Sequence, residues 1–273
     1  MVKKLFKHEF LAYIRVMGVV YLVLLGVAAL SRFVQFFEAE TVPYNIVRGA
    51  SFAMYGICAL GTLAANTVMA VVRFYRNLFT GEGYLTLTLP VTPAQHIWVK
   101  VLTALCMEAV TWLVVIASGC VITAGEVLVE VIKAAAYIGD QIYGAIGFHG
   151  AVFGVELVIV MAGQFAAAMM LYYLCIAIGQ LFRKNRILAA VGAYVGFYIL
   201  SQILATVYMA SFSVYAMTGA FEQDVEQLLR FMEAHPYTAM HSFLWIGFAV
   251  QAVFFLVEFL AVKGIITKKL NLE

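Results

Sequence analysis

Six apolar runs, each long enough to cross a bilayer as a helix and each bounded by charged or glycine-rich punctuation, dominate the 273-residue chain. They fall at roughly 16–37, 49–72, 101–125, 151–182, 187–212 and 241–262. A spanning helix needs about 20 predominantly apolar residues, so each run predicts one span. Ser31, Arg32 and Gln35 interrupt the first near its end. The fourth would be about 48 Å long if wholly helical at about 1.5 Å per residue, more than the roughly 30 Å hydrocarbon core. It is therefore expected to tilt or to project from one side.

Two shorter stretches carry a one-sided helical pattern. In residues 1–15, Val2, Leu5, Phe6, Phe10, Tyr13 and Ile14 share one arc, with Lys4, Lys7, His8 and Arg15 opposite. This predicts an interfacial helix lying on the inner membrane surface, its basic side toward anionic lipid headgroups. Between the last two spans, Phe221, Val225, Leu228, Leu229 and Met232 recur at helical spacing, with Glu222, Gln223, Asp224, Glu226 and Arg230 on the other side and Pro236 as a stop. That pattern predicts an external amphipathic helix packing its apolar face on the bundle. The stretch 126–150 mixes alternating Val127, Val129 and Val131 with Gly139, Gly144, Gly147 and Gly150, and is open to helix or irregular structure. With no internal repeat and no low-complexity linker, the expected architecture is an all-α polytopic membrane protein forming one transmembrane domain over 1–273.

Composition agrees: 64% of residues are hydrophobic and 12% charged, against about 25% charged in a soluble domain. A net charge of +2 offers no basic field for nucleic acid. The placement of the charges is more telling than their sum. With the N-terminus inside, Lys3, Lys4, Lys7, Arg15, Arg73, Arg76, Lys100, Arg183, Lys184, Arg186, Lys263, Lys268 and Lys269 fall on the cytoplasmic side, and only Arg32, Arg48, Lys133 and Arg230 outside. Basic loops are retained in the cytoplasm, so both termini are expected there, in a cell membrane. The N-terminal stretch lacks the small-residue cleavage site of a signal peptide.

Little in the sequence suggests covalent or metal chemistry. Cys58, Cys106, Cys120 and Cys175 all lie in apolar runs without CxxC spacing, and read as small buried hydrophobes. The five histidines, His8, His96, His149, His235 and His241, are scattered along the chain with no H-E-x-x-H pattern, so no metal cluster is expected. No G-x-x-x-x-G-K-[ST] loop is present to cradle phosphates, so if ATP drives this protein another chain hydrolyses it. Two GxxxG matches, Gly150 to Gly154 and Gly192 to Gly196, do not exceed what 21 glycines give by chance. Within the spans stand Glu108, Glu156 and Glu258. Intramembrane carboxylates are expensive and often functional, which makes Glu108 the candidate for a substrate path or proton relay. A structural acid paired between helices is the alternative for all three. Asn66, Gln164, Gln202 and Gln251 are expected to make interhelical amide hydrogen bonds.

The connection from Arg73 to Lys100 is more apolar than a simple turn requires, with Leu85, Leu87 and Leu89 between Gly81 and Gly83 on one side and Pro90 and Pro93 on the other. Apolar side chains outside the membrane imply something to pack against. The run Glu82, Gly83, Tyr84, Leu85, Thr86, Leu87, Thr88, Leu89, Pro90, Val91, Thr92, followed by Lys100, resembles the coupling segment of six-span permeases of ATP-binding-cassette (ABC) exporters. Gly83, Leu85, Pro90, Val91 and Lys100 match that pattern. Glu82 stands one or two residues from the family's leading acid, Thr86 replaces a second acid, and Pro93 stands where a base is frequent.

The predicted interfacial helix, six spans and external helix before the last span are similar to the type V exporter layout. The resemblance implies a cytoplasmic coupling helix between spans 2 and 3 that docks into an ABC ATPase subunit, with a second permease subunit, identical or different, completing a dimer. ATP and magnesium would be bound by the ATPase, with none in this chain, and the cargo would be a peptide, a lipid-like or a drug-like molecule crossing a bacterial membrane. Two rival expectations stand beside it: a secondary transporter or channel using Glu108, and a non-transporting membrane scaffold or immunity-type protein.

Overall fold

A computed structural model describes residues 2–37, 41–80, 90–182 and 184–268 of the chain. All regular structure among them is helical: α1 (Val2–Gln35), α2 (Val42–Phe79), α3 (Pro93–Ile122), α4 (Glu126–Ile146), α5 (Phe148–Gly179), α6 (Arg186–Ala216), α7 (Gly219–Ala234) and α8 (Pro236–Lys268). Six of these, α1, α2, α3, α5, α6 and α8, are long and apolar enough to cross a membrane. The protein is an all-α polytopic membrane protein. Most of the coupling segment, Glu82 through Leu89, lies outside the described residues.

The chain forms two compact units, Met1–Ile142 and Tyr143–Glu273. In the first, α1, α2 and α3 pack against one another. The buried positions of α1 are Glu9, Tyr13, Met17, Tyr21, Leu24, Ala28 and Ser31, a single stripe at three- and four-residue spacing. This corrects the expectation of a separate interfacial helix over 1–15, because α1 runs unbroken from Val2 to Gln35. The buried stripe of the span simply continues into the N-terminal turns, and Glu9 is its first member, where the sequence pattern placed a surface. Nor do Ser31 and Gln35 end the helix early: Ser31 Oγ donates to the Ser51 carbonyl of α2 at 3.1 Å, and Gln35 Nε2 donates to the Ser31 carbonyl at 3.2 Å.

The start of α3 is set locally. Thr92 Oγ1 accepts from the Gln95 amide and Gln95 Oε1 accepts from the Thr92 amide at 3.0 Å, a reciprocal cap, with Pro93 entering the first turn. Proline there wastes no hydrogen bond, since the first helical amides have no partner within the helix. After α3 the chain turns through Ala124 (φ 51) and Gly125 (φ 81) into α4, so the stretch left open by the sequence is helical over most of its length.

In the second unit α5 packs against α6 and α8, and α7 touches both α6 and α8. The α5–α6 connection is tight: a Cβ on Gly179 would lie 2.6 Å from the Arg186 carbonyl and 2.8 Å from Ala190 Cβ, and Asn185 takes the left-handed conformation (φ 57, ψ 43) immediately before α6. The expected amphipathic helix before the last span is α7, held at its start by Phe221 edge-on to Phe212 and Tyr215 and by the Tyr215 hydroxyl donating to Asp224. Of its apolar face only Phe221 and Val225 are half-buried, whereas Leu228, Leu229 and Met232 are exposed.

Candidate functional site

The interior of the first unit is a ladder of polar contacts among α1, α2 and α3, beginning with a buried ion cluster. Glu9 Oε1 accepts from Lys100 Nζ at 2.6 Å and from Arg73 Nε at 2.9 Å, while Oε2 accepts from Asn77 Nδ2 at 3.1 Å. Glu9 and Lys100 are 8% and 6% exposed, so this is an interior cluster and not a surface ion pair. Bringing charges out of water costs several kcal/mol per ion unless geometry and hydrogen bonding compensate. Here both carboxylate oxygens are occupied, one by two cations and the other by an amide. Glu9, Arg73 and Lys100 each stand about 10 Å from the nearer end of their helix at about 1.5 Å per residue.

Arg73 extends the cluster inward, its guanidinium lying over the Tyr13 ring at 5.7 Å. The Tyr13 hydroxyl donates toward the carbonyl and Oδ1 of Asn66, at 2.5 and 2.9 Å. Asn66, fully buried, donates Nδ2 to Glu108 Oε2 at 2.7 Å, and Trp112 Nε1 donates to Glu108 Oε1 at 2.9 Å. A further rung joins the Tyr21 hydroxyl to Thr111 Oγ1 at 2.7 Å, and because the Thr111 proton goes to the Met107 carbonyl, Tyr21 is the donor. Tyr55 meets Ser118 Oγ at 3.0 Å in the same way, the serine donating to Val115. Between membrane helices, where lipid competes equally for apolar surface, such hydrogen bonds and close packing supply the specificity of pairing.

The sequence-predicted residues fare unequally. Pro90 and Val91, the described end of the coupling segment, lead into the Thr92 cap of α3. Glu82, Gly83, Tyr84, Leu85, Thr86, Leu87, Thr88 and Leu89 lie outside the described residues. Glu108 is half-buried on α3 with both oxygens hydrogen-bonded. Lys100, expected at a span's threshold, is buried within α3. Glu9 was missed altogether, although it is the sole acid of α1 and stands in four-residue register with Tyr13, Met17 and Tyr21, a signal available in the sequence. His96 is buried beside this cluster on α3, its Nε2 without a partner among the described residues.

In the second unit Glu156 pairs with His241, Oε2 to Nδ1 at 2.6 Å, and accepts from Trp245 Nε1 at 2.8 Å. Two of the five histidines expected to be scattered are brought together here, His149 Nδ1 lying 3.3 Å from His241 Nε2. Glu258 is less well served, its Oε2 buried without a partner among the described residues, as is Gln251 Nε2 on the same helix. The four cysteines are free thiols. Comparison with protein-family models, with curated proteins and with solved structures finds no match to this chain.

Proposed function

We propose that this chain is the membrane-spanning permease subunit of an ATP-driven exporter, working with a second permease subunit and with separate ATPase subunits that bind ATP and magnesium. Its termini and the connection between α2 and α3 face the cytoplasm of a bacterial cell, and its cargo is a peptide, lipid-like or drug-like molecule. The observation that supports this reading is the Glu9 cluster. Arg73 and Asn77 stand near the end of α2 and Lys100 near the start of α3, so the two helices that flank residues 80–92 are both fastened to α1 through one carboxylate. A soluble partner pressing on that connection would move α1, α2 and α3 together. Mechanical coupling needs this property, and an ordinary loop between two spans does not.

Within that reading Glu108 is a structural hub. One oxygen accepts from Asn66 of α2 and the other from Trp112 of α3, which ties the two helices at this level.

The test is Leu87→Asp. A carboxylate placed in an apolar contact with the partner costs several kcal/mol if unpaired, while a segment outside the hydrocarbon leaves insertion untouched. Wild-type chain drawn from its native membranes in mild detergent should carry ATPase activity. The variant should express, extract and melt like wild type but lose that activity. Wild type without any ATPase, or Leu87→Asp with undiminished ATPase, overturns the reading.

A further inference from the structure

Near the start of α5 and α8 five side chains interleave. His149 and Glu156 lie seven residues apart on α5, and Tyr237, His241 and Trp245 follow at four-residue intervals on α8, so each set occupies one helix face. The His149 ring stacks on Tyr237 with centroids 4.2 Å apart and planes within 8°. His241 Nδ1 is 2.6 Å from Glu156 Oε2 and its Nε2 is 3.3 Å from His149 Nδ1, while Trp245 holds the other Glu156 oxygen at 2.8 Å. A carboxylate only accepts hydrogen bonds, so His241 gives its Nδ1–H to Glu156, and Nε2, facing His149, is the nitrogen left to bind a metal when the ring is neutral.

The geometry points to a divalent transition-metal site of the zinc class, with His149 Nδ1 and His241 Nε2 as its two protein ligands and Glu156 as the residue that positions His241. Two nitrogens each about 2.0–2.1 Å from a tetrahedral zinc ion lie about 3.3–3.4 Å apart, close to the 3.3 Å at which the two rings share a hydrogen bond in this structure. The arrangement behind His241 matches how proteins hold metal-binding imidazoles, with the distal ring N–H given to a carboxylate that fixes tautomer and ring plane. Trp245 locks that carboxylate in turn, and Tyr237 fixes the plane of His149. On binding, His149 carries its proton on Nε2 and turns the Nδ1 lone pair to the ion.

Among the described residues no three His, Cys, Asp or Glu side chains converge to hold a metal. Two positions on the ion therefore remain for water or an exchangeable ligand, and His149 is exposed enough to admit them. A site of this kind loads reversibly, unlike the closed four-ligand sites that hold a fold together. It also does not depend on the exporter reading, because the pair is local to the second unit.

The experiment uses the full chain, purified in detergent without a histidine tag and stripped with a chelator, then titrated with Zn2+ by equilibrium dialysis and with Co2+ by visible absorption. One zinc per chain and a tetrahedral cobalt spectrum are expected. His149→Ala and His241→Ala should each abolish the site, Glu156→Gln should weaken it about 10- to 100-fold, and His235→Ala should leave it unchanged. Thermal melting of each metal-free variant separates a lost ligand from a lost fold, with the exposed His149→Ala expected to melt as wild type. The proposal fails if His149→Ala binds zinc as well as wild type, if His235→Ala removes the site, or if Glu156→Gln, still folded, leaves the affinity unaltered.

Discussion

At the scale of single residues, Glu9 decides how three helices meet. It offers one negative charge to two cations and an amide in a setting almost closed to water. Removing it takes away the carboxylate that Arg73 and Lys100 share, and breaking a buried charge cluster from one side typically costs about 3–5 kcal/mol. Glu9→Ala should therefore lower the melting temperature markedly, measured by thermal unfolding in detergent. Glu9→Gln, which keeps the shape and the Asn77 contact, should fall between it and wild type. An exposed acid on a surface helix would give no such loss, so a neutral result would place Glu9 outside the interior. Asn66 makes a smaller claim of the same kind. Asn66→Leu removes the partner of Glu108 Oε2 while leaving the Tyr13 hydroxyl its bond to the backbone carbonyl, and a buried group left unsatisfied costs about 1–3 kcal/mol.

These interior contacts were barely legible in the sequence, and the reason is physical. A soluble helix advertises its buried face by contrast with a polar one, whereas a span that is apolar all round gives no contrast. Glu108 and Asn66 stood out as intramembrane polar residues, but that they meet each other across 42 residues of chain could not be read from spacing. Arg73 and Lys100 looked like the charged flanks of two spans because flanking charge is common at membrane boundaries, and Glu9 fell within the expected surface helix. The histidine pair escaped for a related reason: His149 and His241 are 92 residues apart and join only because α5 packs on α8.

At the scale of elements, the number and kind of spans followed from apolar length alone, and the ends did not. Every spanning helix extends beyond its apolar run except at a few ends. α1 is the clearest case: 34 residues correspond to about 51 Å, well beyond a hydrocarbon core of about 30 Å. A membrane-surface helix followed by a span would bend near Arg15. One continuous helix would not, and the two can be told apart with Val16→Pro. Val16 is exposed, so its side chain carries little packing. Proline there removes a backbone hydrogen bond and clashes with the preceding turn, at about 3 kcal/mol or more inside a helix, so the variant should melt well below wild type. Unchanged melting would mean that the chain already bends there. The α5–α6 connection offers a second case, because Gly179 has backbone and Cβ atoms of the next helix at under 3 Å from where a Cβ would stand. Gly179→Ala must push those helices apart, and overpacking of this sort costs about 1–3 kcal/mol.

At the scale of the whole molecule, the placement of charge and the alternation of spans must tell one story. The described helices between spans, α4 and α7, follow the third and fifth spans, which puts both on the same side of the membrane if all six helices cross. Both are rich in acids, Glu130 and Asp140 on one and Glu222, Asp224, Glu226 and Glu233 on the other, whereas the connection after α5 carries Arg183, Lys184 and Arg186. Because basic connections stay in the cytoplasm, α4 and α7 are expected outside and both termini inside. A cysteine-free background, with Cys58, Cys106, Cys120 and Cys175 replaced, makes this testable with a membrane-impermeant thiol reagent on intact cells. Single cysteines at Gln141 and Gln227, both exposed on their helices, should label. Cysteines at Lys184 and Asn271 should label only after the membrane is opened. A miscounted span reverses every later connection, so the error would show its position: labelling of Asn271 without Gln227, with Gln141 still labelled, means an odd number of spans, and labelling of Lys184 with protection of Gln141 inverts the whole chain. The inverted result would also turn the connection between α2 and α3 away from any cytoplasmic ATPase, and the exporter assignment would fall with it.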